Sequence, residues 1–81
     1  MTVRVRLFAA ARAAAGEAEV TAEAGELDTL LTALEDRYGP EFAKVLGVAT
    51  VLVDGSHAER GEGAVVEDGA EVAILPPFSG G

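Results

Sequence analysis

The alternation of hydrophobic and polar residues predicts a strand at the start of the chain and another shortly after it. In residues 2–8, the odd-numbered positions hold Val or Leu, whereas the even-numbered positions hold mostly polar residues and also Phe8. Residues 17–24 alternate again, with small apolar residues on one side and mainly glutamates on the other. A row of acidic side chains is typical of an edge strand. We expect the two strands to pair as a hairpin across the alanine-rich residues 9–15, which allow a helical turn.

Helical periodicity follows in the middle of the chain. Asp28 is the expected N-cap, and the next residues place an apolar stripe on one face, formed by Leu30, Leu31, Leu34 and Tyr38. Gly39 followed by Pro40 is a helix stop signal. Residues 41–46 have the pattern of a second short helical turn that carries Phe42, Val45 and Leu46 to the core.

The second half of the chain returns to strand patterns. Residues 48–53 predict a strand that ends at a tight Asp-Gly turn, residues 54–55. Residues 56–63 are polar and rich in glycine, which favours a loop with at most a short strand. Residues 71–75 alternate once more and close a β-β-α-β-β order. The pattern predicts one α+β domain over residues 1–81, with one main helix packed across a mixed sheet.

Composition excludes several classes of function. The 81 residues have a net charge of −8, which argues against nucleic acid and anionic membranes and favours a basic protein partner, although the acidity also keeps a small protein in solution. No cysteine is present, so disulfides and thiolate chemistry are excluded. No apolar run is long enough for a secretory signal or a membrane span. We expect a cytoplasmic location.

Candidate catalytic residues are few. His57, the only histidine, lies in a polar loop, and Lys44 is the only lysine. A nucleophile needs an activating base beside it, and no such arrangement is visible. The glycines at 61 and 63 do not open a helix and lack the rest of a phosphate-binding fingerprint. We therefore expect no catalytic residue and no metal site in this domain.

The last residues of the sequence form the most unusual stretch. Two prolines follow the final apolar strand, and because proline fixes φ and removes a backbone donor, the strand cannot continue. With Gly81 as the last residue, its carboxylate has no neighbouring Cβ to crowd it and can enter a narrow site. We expect residues 76–81 to form an extended tail, which consists of Pro76, Pro77, Phe78, Ser79, Gly80 and Gly81.

A possible docking surface accompanies the tail. Because side chains in a strand alternate between its two faces, Phe8 and Leu75 are expected on the face opposite the core. Leu52 lies on the same face if Val51 and Val53 point inward. If the first and last strands are adjacent, the three side chains form one exposed apolar patch at the root of the tail. Such patches often mark partner sites, whereas isolated exposed apolar residues are ordinary.

Two segments carry a family resemblance. The front segment, residues 5–9 with Arg12 and Gly16, and the end segment, residues 67–81 with Leu-Pro-Pro-Phe-Ser-Gly-Gly, resemble the ubiquitin-like sulfur carriers of the MoaD/ThiS family. Within it, the branch that serves molybdopterin synthase is the most similar. The resemblance implies a β-grasp fold with the first and last strands parallel and central. The chain departs from the family pattern at His57 and Ala58, where the family usually has an apolar docking residue. Its loop over residues 56–66 is also slightly longer and more polar than the family pattern leads us to expect.

The resemblance also implies a chemistry that other proteins carry out. An E1-like enzyme uses ATP to adenylate Gly81, and a sulfur donor protein converts it to a thiocarboxylate. The tail then enters the large catalytic subunit of molybdopterin synthase, where the sulfur is passed to cyclic pyranopterin monophosphate. The chain itself is expected to bind no cofactor.

Other functions remain open. The chain could carry sulfur for thiamin, cysteine or tRNA thiolation, although the two prolines favour the molybdopterin pathway. It could instead be a ubiquitin-like modifier joined to lysines through Gly81, or an α+β interaction domain without such chemistry.

Overall fold

The computed structural model describes residues 1–77 of the chain. The predictions for Phe78, Ser79, Gly80 and Gly81 therefore lie outside the described residues. In the described part, strands and helices follow one another as β1 (Thr2–Leu7), α1 (Ala9–Ala15), β2 (Glu19–Glu23), β3 (Gly25–Glu26), α2 (Leu27–Tyr38), α3 (Pro40–Val48), β4 (Thr50–Val53), β5 (Ser56–Ala58), β6 (Val65–Val66) and β7 (Glu71–Leu75).

Five of the strands form one mixed sheet in the order β2-β1-β7-β4-β5. The central strands β1 and β7 run parallel, while the β1–β2, β4–β7 and β4–β5 pairs are antiparallel. The edge position of β2 confirms the prediction made from its glutamates. The parallel central pair confirms the topology that the family resemblance implied.

The helices cover one face of this sheet and enclose the core. The sheet contributes alternate residues, since Val5 and Val72 are fully buried while their neighbours along each strand are not. Helix α2 contributes the buried residues Leu27, Leu30, Leu31 and Leu34. Helix α3 adds Phe42 and Leu46, as predicted, and the Phe42 ring lies 5.2 Å from the Tyr38 ring, centroid to centroid.

The start of α2 differs from the prediction. The helix begins at Leu27, so Asp28 lies in its first turn and is not the N-cap, and Glu26 in that position makes no side-chain capping bond. The backbone N–H of Leu27 instead donates to the carbonyl of Ala64 at 2.9 Å. The Asp28 carboxylate accepts the N–H of Gly61 at 3.0 and 3.1 Å. The carbonyl of Ala64 thus satisfies one backbone N–H at the start of the helix, while the Asp28 side chain bonds to the loop and does not cap its own helix.

Several other elements also differ from the prediction. The alanine-rich connection is a seven-residue helix, α1, and the predicted turn after Pro40 is a nine-residue helix, α3. Helix α3 includes Val48, so β4 begins only at Thr50. The strands β3 and β6 form a separate small sheet that the sequence pattern did not indicate. The stop at Gly39 is confirmed, with φ 96° at the glycine and Pro40 opening the next helix.

Candidate functional site

The face of the sheet opposite the helices carries an apolar patch at the end where β7 finishes. The register places Ala73 of β7 directly between Arg6 of β1 and Leu52 of β4, and Leu75 is the next residue of β7 on the same face. Phe8 follows β1 on that side. These residues line one open concavity of about 470 Å³. We call the apolar set the outer patch, consisting of Phe8, Leu52, Ala73 and Leu75.

The outer patch is separate from the core. All four side chains are half-buried, and none is among the side chains that pack against the buried cluster. The structure therefore brings together Phe8, Leu52 and Leu75, the three residues that parity predicted. It adds Ala73, which sequence reasoning missed although it shares its parity with Leu75.

Phe8 is held firmly at the junction of β1 and α1. Its backbone N–H donates to the carbonyl of Ile74 at 3.2 Å, which ties it to β7. Its own carbonyl accepts the N–H groups of Ala11 and Arg12, at 3.0 and 3.3 Å, where α1 begins. The guanidinium of Arg6 lies over the ring, 5.4 Å from its centroid. Backbone hydrogen bonds at both the N–H and the carbonyl of Phe8 thus fix the position of its aromatic side chain.

Charged residues border the patch along β1 and β7. The Glu71 carboxylate lies 3.3 Å from the Arg4 guanidinium and 3.6 Å from that of Arg6. Arg4 also lies 3.9 Å from Glu19 across the β1–β2 pair. The backbone N–H of Glu71 donates to the Asp54 carboxylate at 2.9 Å. The two arginines are therefore largely balanced by acids on adjacent strands, and the apolar part of the face remains its distinctive feature.

The histidine that departs from the family pattern also lies on this face. The register pairs His57 of β5 with Leu52, which puts both on the side of the outer patch. Ala58, the next residue, is half-buried and packs against the core. His57 therefore lies beside the outer patch, and its Nδ1 lies 3.9 Å from Glu59.

The last strand, β7, ends at the outer patch. Strand β7 ends at Leu75, and neither Pro76 nor Pro77 belongs to a strand, which confirms that the prolines end the pairing. Pro76 is half-buried and Pro77 is exposed. The roles assigned to residues 78–81, Gly81 above all, remain predictions.

Within residues 1–77 no group of three or more His, Cys, Asp and Glu could hold a metal ion. No helix in that range is long and apolar enough to cross a bilayer. Burial, and after it a hydrogen bond to Glu17, raise the pKa of Tyr38, but this tyrosine lies at the end of α2 away from the outer patch.

The fold and the outer patch together define a ubiquitin-like β-grasp domain of the α+β class, with one long helix across a mixed sheet. Residues 5–81 match the ThiS family over nearly the whole sequence. The chain belongs to the ThiS family.

Three relatives illustrate the range of similar proteins. Over 58 aligned residues, the sequence is 41% identical to the molybdopterin synthase sulfur carrier subunit of Phaeosphaeria nodorum. The match covers 64% of this chain and 60% of that protein's length. The solution structure of small archaeal modifier protein 1 (SAMP1) from Methanosarcina acetivorans has a TM-score of 0.82 and 31% identity, covering 99% of this chain and 96% of that one. In a protein–protein complex of subunits 1 and 2 of the molybdopterin-converting factor from Helicobacter pylori, a chain matches with a TM-score of 0.69 and 25% identity, and each chain is fully covered.

Proposed function

We propose that this chain is the sulfur carrier subunit of a molybdopterin synthase and that it carries sulfur as a thiocarboxylate on Gly81. One observation carries the proposal: the outer patch adjoins the point where the tail leaves β7. A partner that docks on Phe8 and Leu75 is thereby placed next to the root of the tail. The 41% identity to a molybdopterin synthase sulfur carrier supports the choice of pathway.

The tail supplies an acyl group that must be activated before it can accept sulfur. An α-carboxylate has a pKa of about 3.3–3.7, so it is ionised at neutral pH and is a poor electrophile. In the proposed reaction, an oxygen of the Gly81 carboxylate attacks the α-phosphorus of ATP on an E1-like enzyme, and pyrophosphate leaves. A persulfide sulfur of a donor protein then attacks the acyl carbon, and AMP leaves. A thiol attacks the donor's own sulfur in the resulting acyl disulfide, so that the donor leaves as a disulfide with that thiol and the thiocarboxylate is released. Glycine suits both steps because no Cβ crowds its carbonyl carbon.

In this proposal, the globular domain provides the docking surface for the partner proteins and does not itself catalyse a step. The large synthase subunit binds the outer patch, receives the tail in its active site, and transfers the sulfur to cyclic pyranopterin monophosphate. The Helicobacter pylori complex supports such an arrangement because a relative of this chain is found there with a second subunit. Phe8, Leu52 and Leu75 form the docking contact, and residues 76–81 form the inserted segment.

Intact mass spectrometry tests the carrier chemistry. The chain is incubated with the E1-like enzyme of the molybdopterin pathway, ATP, a sulfur donor and a thiol, and we expect the intact mass to show that one oxygen has been replaced by one sulfur. A reaction without ATP is the control and should leave the mass unchanged. If only the activating enzyme of another thiolation pathway produces the shift, the chain is a sulfur carrier but not for this synthase.

A second candidate is a protein modifier, favoured by the 31% identity to an archaeal small modifier protein. In that function, the activated glycine is attacked by a lysine amine of a target protein, and an isopeptide bond forms. A ladder of tagged conjugates that survives reduction and denaturation, and disappears when Gly81 is deleted, would support it. The carrier function instead predicts the free thiocarboxylate form without such a ladder.

A further inference from the structure

The edge strand β2 exposes backbone groups that no other strand of the described chain pairs with. In an antiparallel pair, residues that exchange backbone hydrogen bonds with the partner strand alternate with residues that do not. The hydrogen bonds from the Leu7 N–H to the Ala18 carbonyl and from the Ala24 N–H to the Met1 carbonyl show which residues bond between β1 and β2. Even-numbered residues of β2 thus bond to β1, while the odd-numbered ones face outward. The outward donors and acceptors belong to Glu19, Thr21 and Glu23.

An apolar groove runs beside this open edge, on the side of the sheet where the helices lie. It is a concavity of about 300 Å³ between β2 and helix α2. Small side chains dominate its floor and walls, so it has room for a side chain from another molecule. The residues that leave this room are Ala22, Ala24, Gly25, Thr29 and Ala33.

The opposite side of the same edge is acidic. Glu19 and Glu23 are exposed, and the register places them with Thr21 on the face away from the helices. Side chains in a strand point alternately to the two faces. A strand added along β2 would therefore place every second side chain toward the apolar groove and the others beside the two glutamates.

We propose that the edge of β2 and this groove bind an extended peptide in which apolar and basic residues alternate. The peptide joins the sheet as an additional strand, the mode known as β-augmentation. Its backbone pairs with residues 19, 21 and 23, its apolar side chains enter the groove, and its basic side chains pair with Glu19 and Glu23. This site is separate from the outer patch and does not depend on the function proposed above.

Charge favours such a peptide over a second copy of the chain. Two β2 edges paired antiparallel would bring the glutamate rows of both copies together, and like charges opposite each other destabilise strand pairs. The net charge of −8 adds repulsion between copies and attraction for a basic ligand. The other sheet edge, β5, has only three residues, and the concavity beside it includes the charged residues Glu59 and Arg60.

Arg37 occupies part of the edge in the free protein. Its guanidinium donates to the Thr21 carbonyl at 3.4 Å, which is long for a hydrogen bond, and about half of its side chain is exposed. A long, exposed arginine side chain can swing aside without loss of core packing. The incoming peptide N–H then takes its place on the Thr21 carbonyl.

An NMR titration with a synthetic peptide tests the proposal. The probe is an acetylated and amidated peptide of alternating lysine and valine, seven residues or so in length, close to the mean length of a strand plus its ends. We expect shifts and slower hydrogen exchange at the amides of Glu19, Thr21 and Glu23. Peptides with glutamate for lysine, or serine for valine, should bind at least about tenfold more weakly, which corresponds to about 1.4 kcal/mol.

Two variants and one control separate the edge from the groove. Thr21→Pro removes an outward N–H without breaking a bond to β1, a position where an edge strand accepts proline. Ala33→Glu puts a carboxylate into the groove, and Thr32→Glu adds the same charge to α2 outside it. We expect either of the first two to lower affinity at least about tenfold and the control to stay within about twofold.

Other outcomes would overturn the proposal. Equal binding by all three variants, or shifts confined to β5 or to the outer patch, would show that the peptide binds elsewhere. Protection of β2 amides without peptide, together with a doubled mass in solution, would show that a second copy occupies the edge. Because Ala33 lies on a helix surface, its variant remains informative if Thr21→Pro does not fold.

Discussion

The guanidinium of Arg6 lies over the ring of Phe8, with its Cζ 5.4 Å from the ring centroid. The same guanidinium is 3.6 Å from the Glu71 carboxylate on the neighbouring strand. Arg6 thus covers part of the aromatic side chain while it remains paired with an acid. A cation over an aromatic ring contributes about 0.5–1 kcal/mol at an exposed site, so the contact helps to fix the ring at the margin of the outer patch.

We expect Phe8→Arg to weaken binding to the large synthase subunit by at least about tenfold, or 1.4 kcal/mol, because it replaces an apolar anchor with a charge. The fold should persist, since Phe8 is only half-buried and lies outside the core cluster. Titration calorimetry against the large subunit measures the affinity. Val65→Arg is the matched control, because Val65 is 60% exposed and lies in the separate small sheet. Unchanged affinity for Phe8→Arg would remove this residue from the interface.

Deletion of Gly81 should abolish thiocarboxylate formation and leave the domain folded. The deletion leaves the terminal carboxylate on Gly80, one residue or about 3.5 Å short of its natural reach into a partner's active site, whereas the core consists of side chains within residues 3–74. Intact mass after the activation reaction and a thermal melt provide the two measurements. A drop in melting temperature of more than a few degrees would mean that the tail contributes to the stability of the fold, contrary to the proposal.

Tyr38 should make the stability of the protein sensitive to alkaline pH. Its hydroxyl donates to the Glu17 carboxylate at 2.9 Å, and burial together with this bond raises the pKa of Tyr38 above its ordinary 10.0. The folded state therefore holds this proton more tightly than the unfolded state does, and the associated stability is lost as the pH rises through the folded-state pKa.

The test compares Tyr38→Phe with the natural chain in urea. We expect the variant to be less stable at pH 7 by up to about 1 kcal/mol, because one hydrogen bond is lost. The difference should shrink above a pH of about 10 as the natural tyrosine ionises. A difference that stays constant up to high pH would show that Tyr38 has the same pKa in both states.

Ala9→Gly should stabilise the domain by about 0.5–1 kcal/mol, because Ala9 adopts φ 49°, a left-handed conformation in which a Cβ causes strain. Ala13→Gly in the same helix is exposed and serves as the control. At that position we expect the opposite sign, a loss of about 0.5–1 kcal/mol, since glycine inside a helix has more freedom to lose. Thermal unfolding measures the change in stability caused by each substitution. If both substitutions stabilised the domain, or both destabilised it, the strain inferred at Ala9 would be contradicted.

Much of the outer patch could be predicted because strand parity is a short-range property. Phe8, Leu52 and Leu75 were assigned to the correct face from alternation alone, without knowledge of which strands are neighbours. The helix cap at Asp28 was predicted wrongly for the converse reason. The carbonyl that accepts the first N–H of α2 belongs to Ala64, and the Asp28 carboxylate accepts the N–H of Gly61. Both partners lie far away in the sequence.

Short elements escaped prediction for a different reason. The two-residue strands β3 and β6 are too brief to show alternation, and the alanine-rich α1 has no polar face to reveal a helical period. The groove beside β2 was equally hidden. It exists because α2 packs against that strand at a distance which leaves space above small residues such as Ala22 and Ala33.

The amino-acid sequence by itself determined the two faces of each long strand, the break at Gly39 and Pro40, and the end of the last strand before Pro76. These features follow from local backbone geometry, which side-chain type controls directly. Only the tertiary structure decided that β1 and β7 are adjacent, that Phe8 therefore lies near Leu75 at the end of β7, and that β2 keeps an open edge beside a groove. Strand neighbours are chosen by long-range hydrogen bonding and by burial against the helices, and neither leaves a local trace in the sequence.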